Sequence, residues 1–309
     1  MTAEAHVAPS AVAARRHRTV IVNADDLGRS RGINRGVFEA NDSGIVTSAS
    51  LMTMWPASLD AAEGARRRPD LSVGLHVDLG EWVYRGDAWA TTYERVALDD
   101  ATAVEAEVAR QLRAFRRLLD ADPTHIDSHQ HVHLQEPVWS ILCELADTLQ
   151  VPLRHRGGLV QYCGAFYGQT SFGEPALKRL TLDALRATLE GLDDGFTELV
   201  CHPGYAIDVA SSYGPERELE VRTLCDEGVR AAVAEEGIVL ASFRSLASSN
   251  CDVRSLPRGE SPVAISPGPS AREDLEPVSP ELVLVDPTLL QPRESGSAEA
   301  PNDGPERLG

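Results

Sequence analysis

Short apolar runs alternate with amphipathic segments along most of this chain, and that alternation constrains its fold more than any other feature. Residues 19–23 (TVIVN) are an apolar run that ends in a polar residue, which is typical of a buried strand. Residues 102–119 instead place their apolar side chains on one stripe at helical spacing. Interleaved strands and helices of this kind indicate a parallel α/β fold.

The same pattern predicts seven strands and six helices. The predicted strands are residues 19–23, 48–54, 71–77, 127–133, 151–153, 197–201 and 238–242. The predicted helices lie around residues 33–40, 57–67, 102–119, 137–149, 174–189 and 215–234. Seven strands over this length favour a distorted, incomplete (β/α) barrel over a doubly wound sheet.

The two ends of the chain differ in composition from the region between them. Residues 1–17 lack the apolar segment of a secretion signal, and we expect them to form a disordered extension. Ten of the 19 prolines lie between Pro257 and Pro305. Such a segment buries too little apolar surface to offset its ordering entropy, so we predict a disordered, Pro-rich acidic tail over residues 249–309. Residues 18–248 are then the predicted catalytic domain.

Composition excludes several classes of protein. The formal net charge of −18 argues against a nucleic-acid-binding protein, because phosphate contacts need concentrated Lys and Arg. No stretch approaches the roughly 20 apolar residues that span a bilayer. The five cysteines are scattered and lack CxxC spacing, which fits a reducing compartment. We therefore expect a cytoplasmic protein with no nucleic-acid partner and no membrane span.

Residues 127–133 (DSHQHVH) contain three of the nine histidines and one carboxylate. If this segment is an extended strand, alternate side chains share a face. The side chains on that shared face would be Asp127, His129, His131 and His133. Imidazole and carboxylate together suit zinc or a similar divalent metal, so the segment predicts a metal or acid–base site.

Other polar residues follow the predicted strands, at the edge where a parallel barrel places its active site. They are Asp25, Asp26, His76, Arg154 and His202. Each has a structural alternative: the acidic pair as a helix cap, either histidine as a hydrogen-bonded or turn residue, and Arg154 as a surface charge. Together they supply the parts of a metal-dependent hydrolase, in which three protein ligands leave a coordination position open for water.

A GxSxG pattern at residues 28–32 lies between a strand and a helix, as a nucleophile elbow does. However, it follows the first strand, contains two arginines and lies beside an acidic pair that a serine triad would not use. We therefore do not assign Ser30 as a nucleophile. Motifs of the HExxH, Walker A and dinucleotide GxGxxG types are absent.

Taken in order, these motifs resemble those of the YdjC-like carbohydrate deacetylases, a family that includes bacterial chitooligosaccharide deacetylases. The resemblance runs from Thr19 to about Leu246, with Leu27 where the family more often has Phe. The segments that carry it are residues 21–28 (IVNADDLG), 44–48 (GIVTS), 74–76 (GLH), 124–133 (THIDSHQHVH), 153–154 (LR), 165–168 (AFYG) and 201–204 (CHPG).

The resemblance implies a distorted barrel related to the polysaccharide deacetylases, and a divalent metal ion, Mg²⁺ or Zn²⁺, held by one Asp and two His. By position, the metal ligands would be Asp26, His76 and His129. Asp25 would be the general base, His202 the general acid, and Arg154 the residue that steadies Asp25. Asp127 would then orient a ligand, and His131 and His133 would lie beside the ligands or the substrate.

The implied activity is hydrolysis of an N-acetyl group from an amino sugar, oligosaccharide or sugar conjugate, with release of acetate. The expected partner is therefore a small-molecule or oligosaccharide substrate, and the resemblance also favours a homodimer. Two alternatives stay open: another metal-dependent hydrolase that acts on a phosphoester or cyclic amide, and a non-catalytic sugar- or metal-binding protein.

Overall fold

The computed structural model of this protein describes residues 17–86, 88–208 and 211–248. Apart from His17, the predicted N-terminal extension lies outside the described residues, as does the whole predicted tail, 249–309. The limits of the domain, 18–248, therefore stay a prediction.

Nine strands and eight α-helices are described. The strands are β1 (Arg18–Leu27), β2 (Ser48–Leu51), β3 (Ser72–Val77), β4 (Gly80–Arg85), β5 (Ala88–Glu94), β6 (Ile126–Ser128), β7 (Val160–Cys163), β8 (Gly195–Cys201) and β9 (Val239–Ala241). The helices are α1 (Arg31–Asp42), α2 (Ser58–Arg66), α3 (Ala101–Leu119), α4 (Val138–Leu149), α5 (Leu182–Glu190), α6 (Pro215–Leu224), α7 (Glu227–Glu235) and α8 (Phe243–Ser248). Two 3₁₀ helices span His129–Leu134 and Leu177–Leu180. Across the described ranges, every helix is too short or too polar to cross a bilayer.

Seven strands form one parallel sheet in the order β6-β3-β2-β1-β8-β7, with β9 also paired to β1. Beyond β6, Leu153 makes a single parallel bridge to Ile126. Among the described residues, no strand pairing joins that edge to β7, so the barrel is incomplete. The prediction of a distorted, incomplete (β/α) barrel is confirmed.

Strand β1 is the centre of the sheet, because it pairs in parallel with β2, β8 and β9. Its residues Val20, Ile21 and Val22 have no exposed surface. A strand that is covered on both faces has apolar residues at successive positions, which explains why apolar and polar residues do not alternate here. Since the paired strands are parallel, their carboxyl ends meet at the same edge of the barrel as the end of β1.

The predicted histidine-rich strand is wrong beyond Ser128, where β6 ends. The chain continues as a 3₁₀ helix in which Gln130 and His131 have left-handed backbone, at φ 51° and 53°. The Ser128 hydroxyl accepts a hydrogen bond from the His133 amide at 3.1 Å and so fixes the tight turn. The four side chains predicted to share one strand face therefore do not.

Three further predictions differ from the structure. Residues 151–153 form no strand, although Leu153 bridges β6. The single helix predicted at 215–234 is two helices, because α6 ends at Leu224 and Asp226 caps α7 by accepting a hydrogen bond from the Gly228 amide at 2.7 Å. The region 174–189 is divided in the same way, with Thr181 capping α5. The sequence prediction also omitted the β4–β5 hairpin, β7 and α8.

Helix α1 approaches the turn after β8 so closely that its contact residue must be glycine. A Cβ atom on Gly36 would lie 2.4 Å from the Cα atom of Gly204. We expect Gly36→Ala to lower the free energy of unfolding by about 1–3 kcal/mol through overpacking, measured by urea denaturation.

The control is Gly158→Ala, since an added Cβ there has no atom within 4 Å. Equal stability of the two variants would contradict the close approach of α1 to the turn that carries His202.

Candidate functional site

Five of the six residues selected from the sequence lie around the carboxyl ends of β1, β3 and β8 and just after β6. They are Asp25, Asp26, His76, His129 and His202. Arg154, the sixth, directly follows the Leu153 bridge to β6. Asp25, Asp26 and His76 are each no more than 3% exposed. Buried charged and polar groups are concentrated at one edge of the sheet.

Asp25 and Asp26 reach different partners because the backbone of β1 changes at its end. Neighbouring side chains of a regular strand point to opposite faces. Asp26 has a left-handed backbone, at φ 67°, and the register between β1 and β2 shifts between Ala24 and Leu27. Such a conformation costs about 1–3 kcal/mol and is typically retained at functional sites. The irregularity lets both carboxylates reach side chains of the site.

Asp26, His76 and His129 form a group that could hold a metal ion. The Asp26 Oδ1 atom lies 3.5 Å from His76 Nε2 and 3.1 Å from His129 Nδ1. One possible ligand atom from each residue lies within 4.8 Å of the others. One oxygen and two nitrogen ligands are a common protein donor set for a divalent metal.

The hydrogen bonding of this group supports a cation at its centre. Asp26 Oδ1 and His76 Nε2 are buried, and neither has a hydrogen-bond partner of acceptable geometry among the described residues. Buried polar atoms are nearly always satisfied, so these two atoms lack a partner that a cation would supply. The other nitrogen of His76, Nδ1, lies 2.8 Å from Asp127 Oδ1, which fixes the ring as in known metal sites. The residues fit a divalent metal ion.

The charges of the site favour a cation as well. Burial opposes ionisation of Asp26, yet the Arg217 guanidinium holds the pKa of this carboxyl well below its ordinary value. Burial would lower the pKa of His76, but the negative charge of Asp127 raises it to about 10. The carboxylates therefore stabilise positive charge at His76, whether a proton or a metal ion supplies it.

Asp25 is held by a two-pronged ion pair with Arg154. The two Nη atoms of Arg154 each lie 2.8 Å from one Asp25 oxygen. Asn23 and Ser50 also donate hydrogen bonds to Asp25 Oδ1, each at 3.0 Å. Although burial acts in the opposite direction, Arg154 keeps the pKa of Asp25 well below its ordinary value, so the group is a carboxylate.

Arg154 contacts two further carboxylates. Its Nη2 atom lies 2.8 Å from Asp127 and 2.7 Å from Glu198. Burial raises the pKa of Glu198 to about 7. One guanidinium thus forms ion pairs with Asp25, Asp127 and Glu198. These four side chains together carry no excess positive charge.

His202 also lies next to Asp25, with Nε2 3.8 Å from Asp25 Oδ2. Its side chain is 20% exposed and contacts the rings of Tyr167 and Tyr213. Burial lowers its pKa to about 4, so the ring is neutral at pH 7. His202 is therefore a partly accessible, neutral imidazole beside the buried carboxylate.

Sequence reasoning missed two further arginines of the site, Arg29 and Arg217. Arg217 of α6 donates to Asp26 Oδ2 and, at 3.2 Å, to the His202 carbonyl. Arg29 pairs with Glu81 of β4, and its Nη1 lies 3.4 Å from His129 Nε2. Arg29 could have been selected because it follows the acidic pair, whereas Arg217 and Glu81 stand in segments with no local signal.

Two other features of the sequence lie outside the group formed by Asp26, His76 and His129. Ser30 of the GxSxG pattern caps α1, because its hydroxyl accepts a hydrogen bond from the Ile33 amide at 3.1 Å. His131 and His133 do not join Asp26; they lie in a separate cluster with His155.

The comparisons with known proteins agree on one family. The sequence profile of the family described as YdjC-like protein matches residues 19–235. A carbohydrate deacetylase of Geobacillus stearothermophilus is 35% identical over 256 residues, covering 74% of this chain and 97% of that protein. A chitooligosaccharide deacetylase of Serratia marcescens is 31% identical over 264 residues, covering 74% and 99% of the two chains.

A solved structure is similar as well. The crystal structure of a protein from Enterococcus faecalis V583, described as a candidate cellobiose-phosphate cleavage protein, matches with a TM-score of 0.60 and 26% sequence identity. The match covers 74% of this chain and 99% of that one. The shared fold therefore extends over nearly the whole of that protein.

Glu220 links stability to pH. This buried carboxyl is bonded by the Tyr213 hydroxyl and the His202 amide, and burial raises its pKa from 4.5 to about 8. Between these values the unfolded chain loses the proton while the folded protein keeps it, so the free energy of unfolding falls as pH rises. Glu220→Gln should make that slope less steep by up to about 1.4 kcal/mol per pH unit.

Glutamine has nearly the size of the protonated carboxyl; its oxygen can accept from the His202 amide and its NH2 group can donate to the Tyr213 oxygen, so the variant should fold. Urea denaturation at a series of pH values provides the measurement, with Glu218→Gln on the same helix as the control. Parallel pH curves for the wild type and Glu220→Gln would contradict a proton held on Glu220.

Proposed function

Because this chain belongs to the YdjC-like protein family, we propose that it is a metal-dependent deacetylase that removes an N-acetyl group from an amino sugar, oligosaccharide or sugar conjugate and releases acetate. The observation that carries the proposal is the group of Asp26, His76 and His129 together with Asp25, which Arg154 holds and which His202 neighbours. The deacetylase names of the relatives from Geobacillus stearothermophilus and Serratia marcescens support the substrate class.

Asp26, His76 and His129 would hold the metal ion. A bound Mg²⁺ or Zn²⁺ supplies a Lewis acid that polarises the acetyl carbonyl and stabilises developing negative charge. The donor set favours zinc, since two imidazoles suit that ion better than magnesium. Asp127 steadies His76 through the 2.8 Å contact to Nδ1.

Asp25 is the proposed general base. It is ionised, and Arg154 fixes both of its oxygens, so the proton acceptor is held in one orientation before substrate binds. Water gains a bond to the acetyl carbon as its proton moves to Asp25. The carbon–nitrogen bond then breaks.

His202 is the proposed acid that protonates the departing amine. Its ring is neutral at pH 7, so the proton it delivers is the one taken up by Asp25, 3.8 Å away, in the same turnover. The balance is one water consumed, one carbon–oxygen bond formed, one carbon–nitrogen bond broken, and acetate and a free amine released.

A second candidate is cleavage of a phosphoester, because the similar protein from Enterococcus faecalis is described by a cellobiose-phosphate reaction. The arginines of this site argue for an uncharged substrate group. Arg29, Arg154 and Arg217 all pair with carboxylates and leave no guanidinium free to bind phosphate. Cleavage of a cyclic amide would use the same residues but would release neither acetate nor phosphate.

Three further sequence predictions remain predictions here. They are a cytoplasmic location, a homodimer, and the absence of a nucleic-acid partner. The negative net charge of −18 is the observation behind the last of these.

The test of the proposed function is acetate release from N-acetylglucosamine oligomers by metal-stripped and metal-restored protein. We expect release only after Mg²⁺ or Zn²⁺ is restored, because the metal supplies the charge stabilisation. Phosphate release from phosphorylated cellobiose is assayed in parallel. Phosphate release without acetate release would replace the deacetylase with the phosphoester hydrolase.

Asp25→Asn should lower kcat by about 10²–10⁴-fold while metal content stays unchanged, since the base is lost and the ligands remain. His129→Ala should instead lose the bound metal, measured by mass spectrometry of the dialysed protein. The control is Asp42→Asn, whose carboxylate is half exposed and pairs with Arg68. Full activity of Asp25→Asn would rule out the assigned base.

A further inference from the structure

A second group of nitrogen ligands lies apart from the Asp26 site. His131 and His133 belong to the 3₁₀ helix after β6, and His155 follows Arg154. One ring nitrogen from each of these three histidines lies within 4.8 Å of the others. We call this group the three-histidine cluster. It shares no residue with the group formed by Asp26, His76 and His129.

Two nitrogens of the three-histidine cluster lack partners although they are buried. His133 has no exposed surface, and its Nε2 has no hydrogen-bond partner among the described residues. His131 Nδ1 is likewise buried without a partner in that part of the chain. Buried polar atoms are nearly always satisfied, so both nitrogens lack a ligand that the protein itself does not provide.

The opposite nitrogens of the same two rings are fixed. His133 Nδ1 lies 2.6 Å from the Ser128 hydroxyl, and His131 Nε2 lies 3.1 Å from the Tyr162 hydroxyl. Histidines that bind metals typically have one nitrogen on the metal and the other held by a hydrogen bond. The ring centroids of His131 and His133 lie 5.3 and 5.7 Å from that of His155.

The neighbouring Arg154 does not exclude a cation from the cluster. Its guanidinium lies within 2.8 Å of oxygens of Asp25, Asp127 and Glu198. The positive charge of Arg154 is therefore balanced by these three carboxylates.

We propose that His131, His133 and His155 bind a second divalent cation of the zinc class. Three imidazole nitrogens suit Zn²⁺ and leave a fourth position open, whereas Mg²⁺ prefers oxygen ligands. The Asp26 group, with its carboxylate, accepts either ion. The second site goes beyond deacetylation and does not depend on it.

The test counts zinc ions bound per chain. Metal-stripped full-length protein is dialysed against Zn²⁺ and analysed by mass spectrometry. We expect two zinc ions in the wild type and one in His131→Asn/His155→Asn. Asparagine is chosen because both positions have left-handed backbone, at φ 53° and 65°, which asparagine tolerates.

The matched control is His17→Asn, which removes an exposed histidine outside both groups and should keep two zinc ions. A double variant that binds as many zinc ions as the wild type overturns the proposal. Circular dichroism of the double variant shows whether it is folded.

A milder variant decides the case if the double variant does not fold. Tyr162→Phe removes only the hydroxyl beside His131 Nε2. We expect it to weaken the binding of the second zinc ion by about 10–100-fold and to leave the first unchanged. Unchanged affinities for both ions would overturn the proposal.

Discussion

The buried contact between Arg154 and three carboxylates is the interaction on which the rest of the site depends. The Arg154 side chain is 1% exposed and joins Asp25 of β1, Asp127 of β6 and Glu198 of β8. Removal of one partner from such a network leaves an uncompensated buried charge and costs about 3–5 kcal/mol. The same contacts aim Asp25 at the site and hold Asp127 against His76. The contacts that stabilise the fold at this edge therefore also orient Asp25 and His76.

Much of the site was predictable because of one physical rule. In a parallel sheet, residues that end neighbouring strands meet at one edge, so Asp25, Asp26, His76 and His202 could be selected before the structure was known. Arg217 could not, because its helix α6 is polar in sequence and gives no sign that this side chain is buried beneath Asp26. Long-range pairs between a helix and a strand end are set by packing, which no local pattern encodes.

The errors in the fold have a physical cause as well. Alternation with a period of two placed the start of β6 one residue after the observed Ile126, but it cannot detect left-handed residues such as Gln130 and His131. Those residues turn the chain and divide the histidine segment, so that His129 joins Asp26 while His131 and His133 join His155. The single histidine cluster predicted from the sequence is therefore two clusters, one with a carboxylate and one of histidines alone.

The left-handed backbone of Asp26 restricts how this position can change during evolution. Glycine and asparagine tolerate the conformation, but neither carries a carboxylate to bind a cation. Glutamate retains the charge, yet it tolerates the conformation less well and its carboxylate extends one methylene further. The position is therefore constrained twice, by the backbone conformation and by the proposed cation, and aspartate satisfies both constraints.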